Sequence, residues 1–176
     1  MSKKAIVCVT NDLTTDQRVS KTCTTLLKCG YQVIETGRLL PDSLEFAPSY
    51  TIRRKKLWFN TGALFYAEYN IRLFFYLLFA RVDLIFSNDL DTLPAAFVVS
   101  EIRRKKLIYD THEYFTEMPE LVGRKKIQAT WKFFERAIFP KLKHIITVNH
   151  SIADLYAKEY QKEILVVRNI PPSYFP

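Results

Sequence analysis

Residues 109–117 read YDTHEYFTE and bring Asp110, His112, Glu113 and Glu117 together within eight positions. A histidine beside carboxylates can hold or pass a proton near neutral pH. The carboxylates accept hydrogen bonds from hydroxyls or amides. Three further groups of the same character occur. Asn11 and Asp12 follow the apolar run KAIVCVT, and Asn88, Asp89 and Asp91 follow VDLIFS. Asn149 and His150 follow HIITV. The Asp-x-Asp pair at 89 and 91 invites a metal reading, but a hard cation wants more converging oxygens than two side chains supply. Asp91 is expected to cap the next helix. Asp89, with Asn88, is expected to bind hydroxyls.

The elements that position these groups follow from periodicity. Short β-branched apolar runs at 4–10, 31–37, 82–87, 105–110, 144–149 and 163–169 predict strands, with a shorter one at 50–52. Between them lie helical patterns. Thr14 and Gln17 have capping-box spacing, and Val19, Cys23, Leu26 and Leu27 form one stripe that Gly30 ends. Further helices are expected at 63–80, at 92–103 with Pro94 in the first turn, at 125–141 where Pro140 ends or bends the helix, and at 151–160. Strands alternating with helices predict an α/β, Rossmann-like, doubly wound and mostly parallel sheet with helices on both faces. Ligands of such sheets bind at the carboxyl ends of the strands. The polar groups after each strand should therefore meet on one rim.

The loop after the first strand, TNDLTTDQR, lacks the G-x-G-x-x-G of a dinucleotide site. It places Asp12 and Asp16 where a phosphate would dock at a helix N-terminus. That charge disfavours an anion and suits a ligand that offers hydroxyls, such as a sugar. Arg18 is expected to pair with Asp16 or to hold neighbouring loops.

In order along the chain come TNDLTTDQRVSKTCTTLLKCGYQVIETGR, SNDLDTLPAA, LIYDTHEYFTEMPEL, TVNHSIADLYAKEY and VVRNIP. Together they resemble the N-terminal domain of GT-B glycosyltransferases, in particular the retaining glycosyltransferase family 4 type. The most specific pieces are Asp16, Arg18 and Val19 at the first helix and the Y-D-x-H-E segment. The resemblance implies one half of a GT-B fold. Residues 1–169 would be the acceptor-side domain and 170–176 the start of an interdomain linker, with the C-terminal donor-binding domain absent. It implies transfer of a sugar from a nucleotide-sugar donor, held mainly by that second domain, to a hydroxyl of a glycan or lipid-linked acceptor in polysaccharide or cell-surface glycan synthesis. The fragment alone would be inactive, and no metal or other cofactor is implied. His112 would be the catalytic-site residue, hydrogen bonded to the transferred sugar. Asn11, Asp12, Asn88, Asp89, Asp110, Glu113 and Glu117 would bind substrate. Two alternatives stay open: half of a GT-B sugar-nucleotide epimerase, and a non-catalytic basic module that binds membrane or nucleic acid.

The chain has 176 residues, a 48% hydrophobic share and a net charge of +8, which excludes disorder and suits one domain. Three cysteines without metal-like spacing, and an N-terminus without a signal-peptide pattern, predict a reducing, cytoplasmic setting. Cys8 and Cys23 sit in apolar patterns and are expected to be buried. The positive charge is concentrated in RRKK at 53–56, RRKK at 103–106 and RKK at 124–126. No nucleic-acid motif accompanies them, so no nucleic acid is expected as partner. Arg53, Arg54, Lys55 and Lys56 run into Trp58, Phe59 and an aromatic helix. That helix is interrupted by Glu68, Asn70 and Arg72, so it is not a membrane span. It is either a core helix or a peripheral contact with the inner membrane surface.

Overall fold

A computed structural model describes residues 2–117 and 123–170. Seven strands form one sheet in the order β3-β2-β1-β4-β5-β6-β7, and every pairing is parallel. The strands are β1 (Lys4–Cys8), β2 (Gln32–Leu39), β3 (Thr51–Lys56), β4 (Leu84–Asn88), β5 (Lys106–Asp110), β6 (Ile145–Thr147) and β7 (Leu165–Val166). The helices are α1 (Gln17–Lys28), α2 (Gly62–Phe79), α3 (Asp89–Arg103), α4 (Lys125–Ile138) and α5 (His150–Tyr160). The strand order reverses between β1 and β4, which opens a crevice above their carboxyl ends.

Successive strand residues point to opposite faces, so the sheet has two cores. On one side Val19, Cys23 and Leu26 of α1 pack on Ala5, Val7, Val33 and Phe86. On the other, α2, α3, α4 and α5 cover Ile6, Cys8, Ile85, Tyr109 and Ile145. Cys8 and Cys23 are fully buried, as their patterns predict, and all three thiols are free. The near-unbroken apolar character of β1 and β4 follows from burial on both faces.

Four boundaries differ from expectation. The cap of α1 is Asp16, whose carboxylate accepts from the Val19 N–H; the Thr14–Gln17 box does not form. Thr14 instead donates to Asp12. The strand expected at 50–52 runs on through the basic tetrad to Lys56. Its cations alternate sides, and the two on one side share an aromatic ring: the Arg53 guanidinium lies 4.5 Å and the Lys55 ammonium 4.8 Å from the centre of the Tyr76 ring. Helix α3 begins at Asp89, directly after β4, which leaves Pro94 inside it. There Asn70 of α2 lies across the helix. Its Nδ2 donates to the Asp91 carbonyl and its Oδ1 accepts from the Ala95 N–H, beside the residue that has no N–H to give. β7 has two residues, fewer than the apolar run suggests. As expected, Pro140 ends the regular helix: α4 stops at Ile138 and Phe139–Lys141 form a 3-10 turn.

Candidate active site

The loop from β1 to α1 is fastened by its own polar groups. Asn11 accepts from the Leu13 N–H at 2.9 Å and donates to Asp16 at 3.0 Å. Asp12 accepts from the backbone and hydroxyl of Thr14. Partial burial pushes the Asp12 carboxyl up, but the Thr14 hydrogen bonds and the charges of Arg54 and Arg38 hold it below its ordinary value. Leu13 is buried in a left-handed conformation (φ 77°), which is rare for a bulky residue. The loop presses so closely on β2 that a Cβ on Gly37 would lie 2.5 Å from the Asn11 carbonyl oxygen. Only glycine fits there.

Across the crevice, Asn88 ends β4 and its Nδ2 donates to the Cys8 carbonyl of β1 at 3.1 Å, tying the two strands at the switch point. Asp89 follows with φ 58°, a strained turn for a non-glycine residue. It aims its carboxylate at the end of β5, where His112 Nε2 lies 3.4 Å from Asp89 Oδ2. Asn88 Oδ1, Asp89 Oδ1 and His112 Nδ1 are shielded from solvent and have no hydrogen-bond partner. Buried polar atoms are normally paired, and these three unpaired ones lie at the sheet's carboxyl rim, which makes it the candidate site.

The electrostatics of the rim are those of crowded acids. Desolvation raises Asp89 well above the usual carboxylate range, and Asp91, Glu113, Asp110 and Asp16 add to the rise. Asp91 is pushed up to about 6 by desolvation, against the pull of a hydrogen bond from Thr10 and the charge of Arg38. A carboxyl kept neutral near pH 6 can donate as well as accept. Asp91 does not cap α3. It lies in the first turn and accepts from the Thr10 hydroxyl at 2.5 Å, so it fixes the β1 loop to α3.

Not every residue marked in the sequence meets at this point. Asp110 is fully buried, and Arg18 takes both of its oxygens at 2.7 and 2.8 Å while donating to the Val167 carbonyl. Arg18 thus pairs with Asp110 and not with Asp16. The pair locks α1, β5 and the segment after β7 beneath the rim. Asn11 and Asp12 serve their own loop. Glu113 is exposed at the rim, close enough to act on Asp89. Glu117 turns away and lines a cavity with Lys125, Gln128 and Arg136 of α4. Asn149 caps α5, so His150 opens that helix. Thr10 was not among the marked residues. Arg38 rests on the Phe65 ring at 4.7 Å and donates to the Asn60 carbonyl. Its cation acts on Asp91 and Asp12, a role visible only once β2 is set beside β1.

The residues marked for membrane contact are spread over two faces of β3 and the loop after it. Arg54 donates to the Leu44 carbonyl, and Lys56 is exposed. Lys55 donates to Thr36, and burial pulls its ammonium down to about 8. Trp58 is 83% exposed, its ring over Arg72, while the Glu68 carboxylate binds the N–H groups of Trp58 and Phe59. Helix α2 buries Phe65, Tyr69, Leu73 and Leu77 and exposes Leu64, Ile71, Phe75 and Phe79. It is a core helix with an apolar outer face. Among the described residues no helix is long and apolar enough to cross a membrane.

No protein-family model matches the sequence, and no curated protein matches it. Solved structures do match. Sucrose-phosphate synthase from Thermosynechococcus elongatus aligns with a TM-score of 0.64 at 14% identity, over 94% of this chain and 48% of its own. MurG from Acinetobacter baumannii aligns at 0.56 and 9% identity, over 96% and 47%. UDP-GlcNAc 2-epimerase from Methanocaldococcus jannaschii aligns at 0.53 and 15% identity, over 94% and 45%. The chain thus spans about half the length of each. At these identities the likeness shows the fold: this is a Rossmann-like α/β domain of the kind that forms one half of a GT-B architecture.

Proposed function

We propose that this domain is the acceptor-side half of a retaining GT-B glycosyltransferase of the family 4 type. The whole enzyme would move a sugar from a nucleotide-sugar donor to a hydroxyl of a glycan or lipid-linked acceptor. The observation that carries the reading is the trio of unpaired polar atoms on Asn88, Asp89 and His112 at the carboxyl ends of β4 and β5, next to the β1/β4 switch point. Hydroxyls satisfy such atoms as donors and acceptors at once, whereas a phosphate would meet the charges of Asp12, Asp16 and Glu113. That arrangement leaves the donor's pyrophosphate to a second domain. His112 hydrogen bonds the transferred sugar, with Asp89 orienting its ring through Nε2. The fold likeness to a sucrose-phosphate synthase and to MurG agrees with a transferase.

In an enzyme that contains both halves, His112→Ala lowers sugar transfer at least ~100-fold while circular dichroism stays that of the parent. Near-parental turnover would leave His112 a structural residue and remove the reading. A second reading rests on the likeness to UDP-GlcNAc 2-epimerase. Interconversion of a nucleotide sugar without any acceptor would favour it over transfer. For a lipid-linked acceptor, Trp58, Phe59 and the outer face of α2 form the membrane contact, with Arg53, Arg54 and Lys56 of the tetrad beside them. Trp58→Ser with Phe75→Ser then weakens sedimentation with anionic vesicles; equal sedimentation removes that contact.

A further inference from the structure

The second RRKK tetrad, at 103–106, has no part in the rim. It lies at the other end of the sheet. Arg103 ends α3 and donates to the Leu77 and Ala80 carbonyls, a structural use. The next three residues do something else. Arg104, Lys105 and Lys106 line a cavity of about 430 Å³ between the end of α3, the start of β5 and the turn into β6. From the turn come Lys141, Lys143 and His144. The floor is Phe97, Leu107 and Leu142, of which Leu107 and Leu142 are buried.

Three features set this cavity apart from an ordinary solvated surface. Its charge is uncompensated: Glu101 is the one acid on its lining, and among the described residues no carboxylate pairs with Lys106, Lys141 or Lys143. Lys105 has only a long contact, 3.7 Å, to Asp83. Next, Arg104 holds a left-handed backbone (φ 52°) at the C-terminal cap of α3, where glycine is the usual occupant. Last, the apolar floor removes solvent from one side of the charges and strengthens their field.

We propose that this cavity binds a diphosphate group. Five clustered cations match two adjacent phosphates better than one, and the volume falls in the range of small-molecule sites, about 300–1,000 Å³. The lysines act as point charges and Arg104 can make a two-pronged contact. β5 separates the cavity from the Asp89–His112 rim by its full length, about 15 Å at about 3.3 Å per residue. The diphosphate held here is therefore not the one that would meet the reacting sugar. Its source is a soluble diphosphate or a phosphorylated lipid headgroup.

Calorimetric titration of the 176-residue chain with inorganic pyrophosphate at low salt tests the site. Saturable one-to-one binding with a dissociation constant on the order of 100 μM is expected. Lys106→Ser with Lys143→Ser weakens it at least ~10-fold, with far-UV circular dichroism unchanged because both side chains are exposed. Amide shifts on adding pyrophosphate centre on Lys106, Lys143 and His144. Vesicles carrying a lipid with a diphosphate headgroup form the second arm. Sedimentation that pyrophosphate competes away assigns the lipid source, and its absence assigns the soluble one. No saturable heat, equal affinity in the double variant, or binding of an oligonucleotide that pyrophosphate fails to displace would each overturn the proposal.

Discussion

Glu35 offers a test of how charge is held inside this fold. It lies in the middle of β2 on the α1 side and is 1% exposed. Its Oε2 has no hydrogen-bond partner. Burial pushes its carboxyl up to about 7 from the ordinary 4.5; Asp16 adds to the rise, and the nearby Tyr50 hydroxyl and Arg54 charge offset only part of it. The folded state therefore keeps a proton that the unfolded chain has released. Stability contributed by this group is full below about pH 4.5 and falls as pH rises, levelling off above about 7. Between pH 5 and pH 8 the loss is about 2–3 kcal/mol. Glu35→Gln keeps the shape and removes the charge, so its stability should lack this component. Urea unfolding of parent and variant at both pH values isolates the effect, because all other groups titrate alike in the two proteins. The gap between variant and parent should widen at pH 8 by about 2–3 kcal/mol, roughly 1 M in the urea midpoint. A gap of equal size at both pH values would show that Glu35 is ionised in the fold and that the burial argument is wrong.

Arg18→Met leaves Asp110 buried without its cation and should lower stability by about 3–5 kcal/mol in the same urea assay. Arg18→Lys should recover little of it, since one ammonium cannot replace a two-pronged guanidinium. Asn70→Leu removes the side-chain bridge between the Asp91 carbonyl and the Ala95 N–H beside Pro94. A loss of about 1–3 kcal/mol is expected, and a neutral result would mean that α3 tolerates the proline without help.

The alternation of strands and helices was readable because each strand is a continuous apolar run, the pattern of burial on both faces. KAIVC and LIFS could be little else. The rim was readable for the same reason: once the strands are parallel, whatever follows each of them must converge. What the residues around each position could not show was which polar groups would be consumed by the fold. Asp110 and Arg18 are 92 positions apart, and their pairing depends on α1 lying across the end of β5. Asp91 looked like a helix cap because caps are the commonest use of Asp before an apolar run; a helix starting directly from the strand moved it inside. Asn70 read as an interruption of an apolar helix because its partners belong to α3. Thr10 gave no signal at all, since a lone threonine at a strand end has no distinctive spacing.

The basic tetrad of β3 has one more consequence. β3 is an outer strand of the sheet, with backbone N–H and C=O groups on its far side that no neighbouring strand takes up. Such an edge is a template on which another chain can add a strand. Here four consecutive cations occupy it, and a second copy aligning in register would set like charge against like at those four positions. The opposite edge, β7, is only two residues long and has little length to offer. The fold thus ends its open sheet with one repulsive border and one vestigial border. It should resist edge-to-edge aggregation at concentrations where a neutral outer strand of the same length would not.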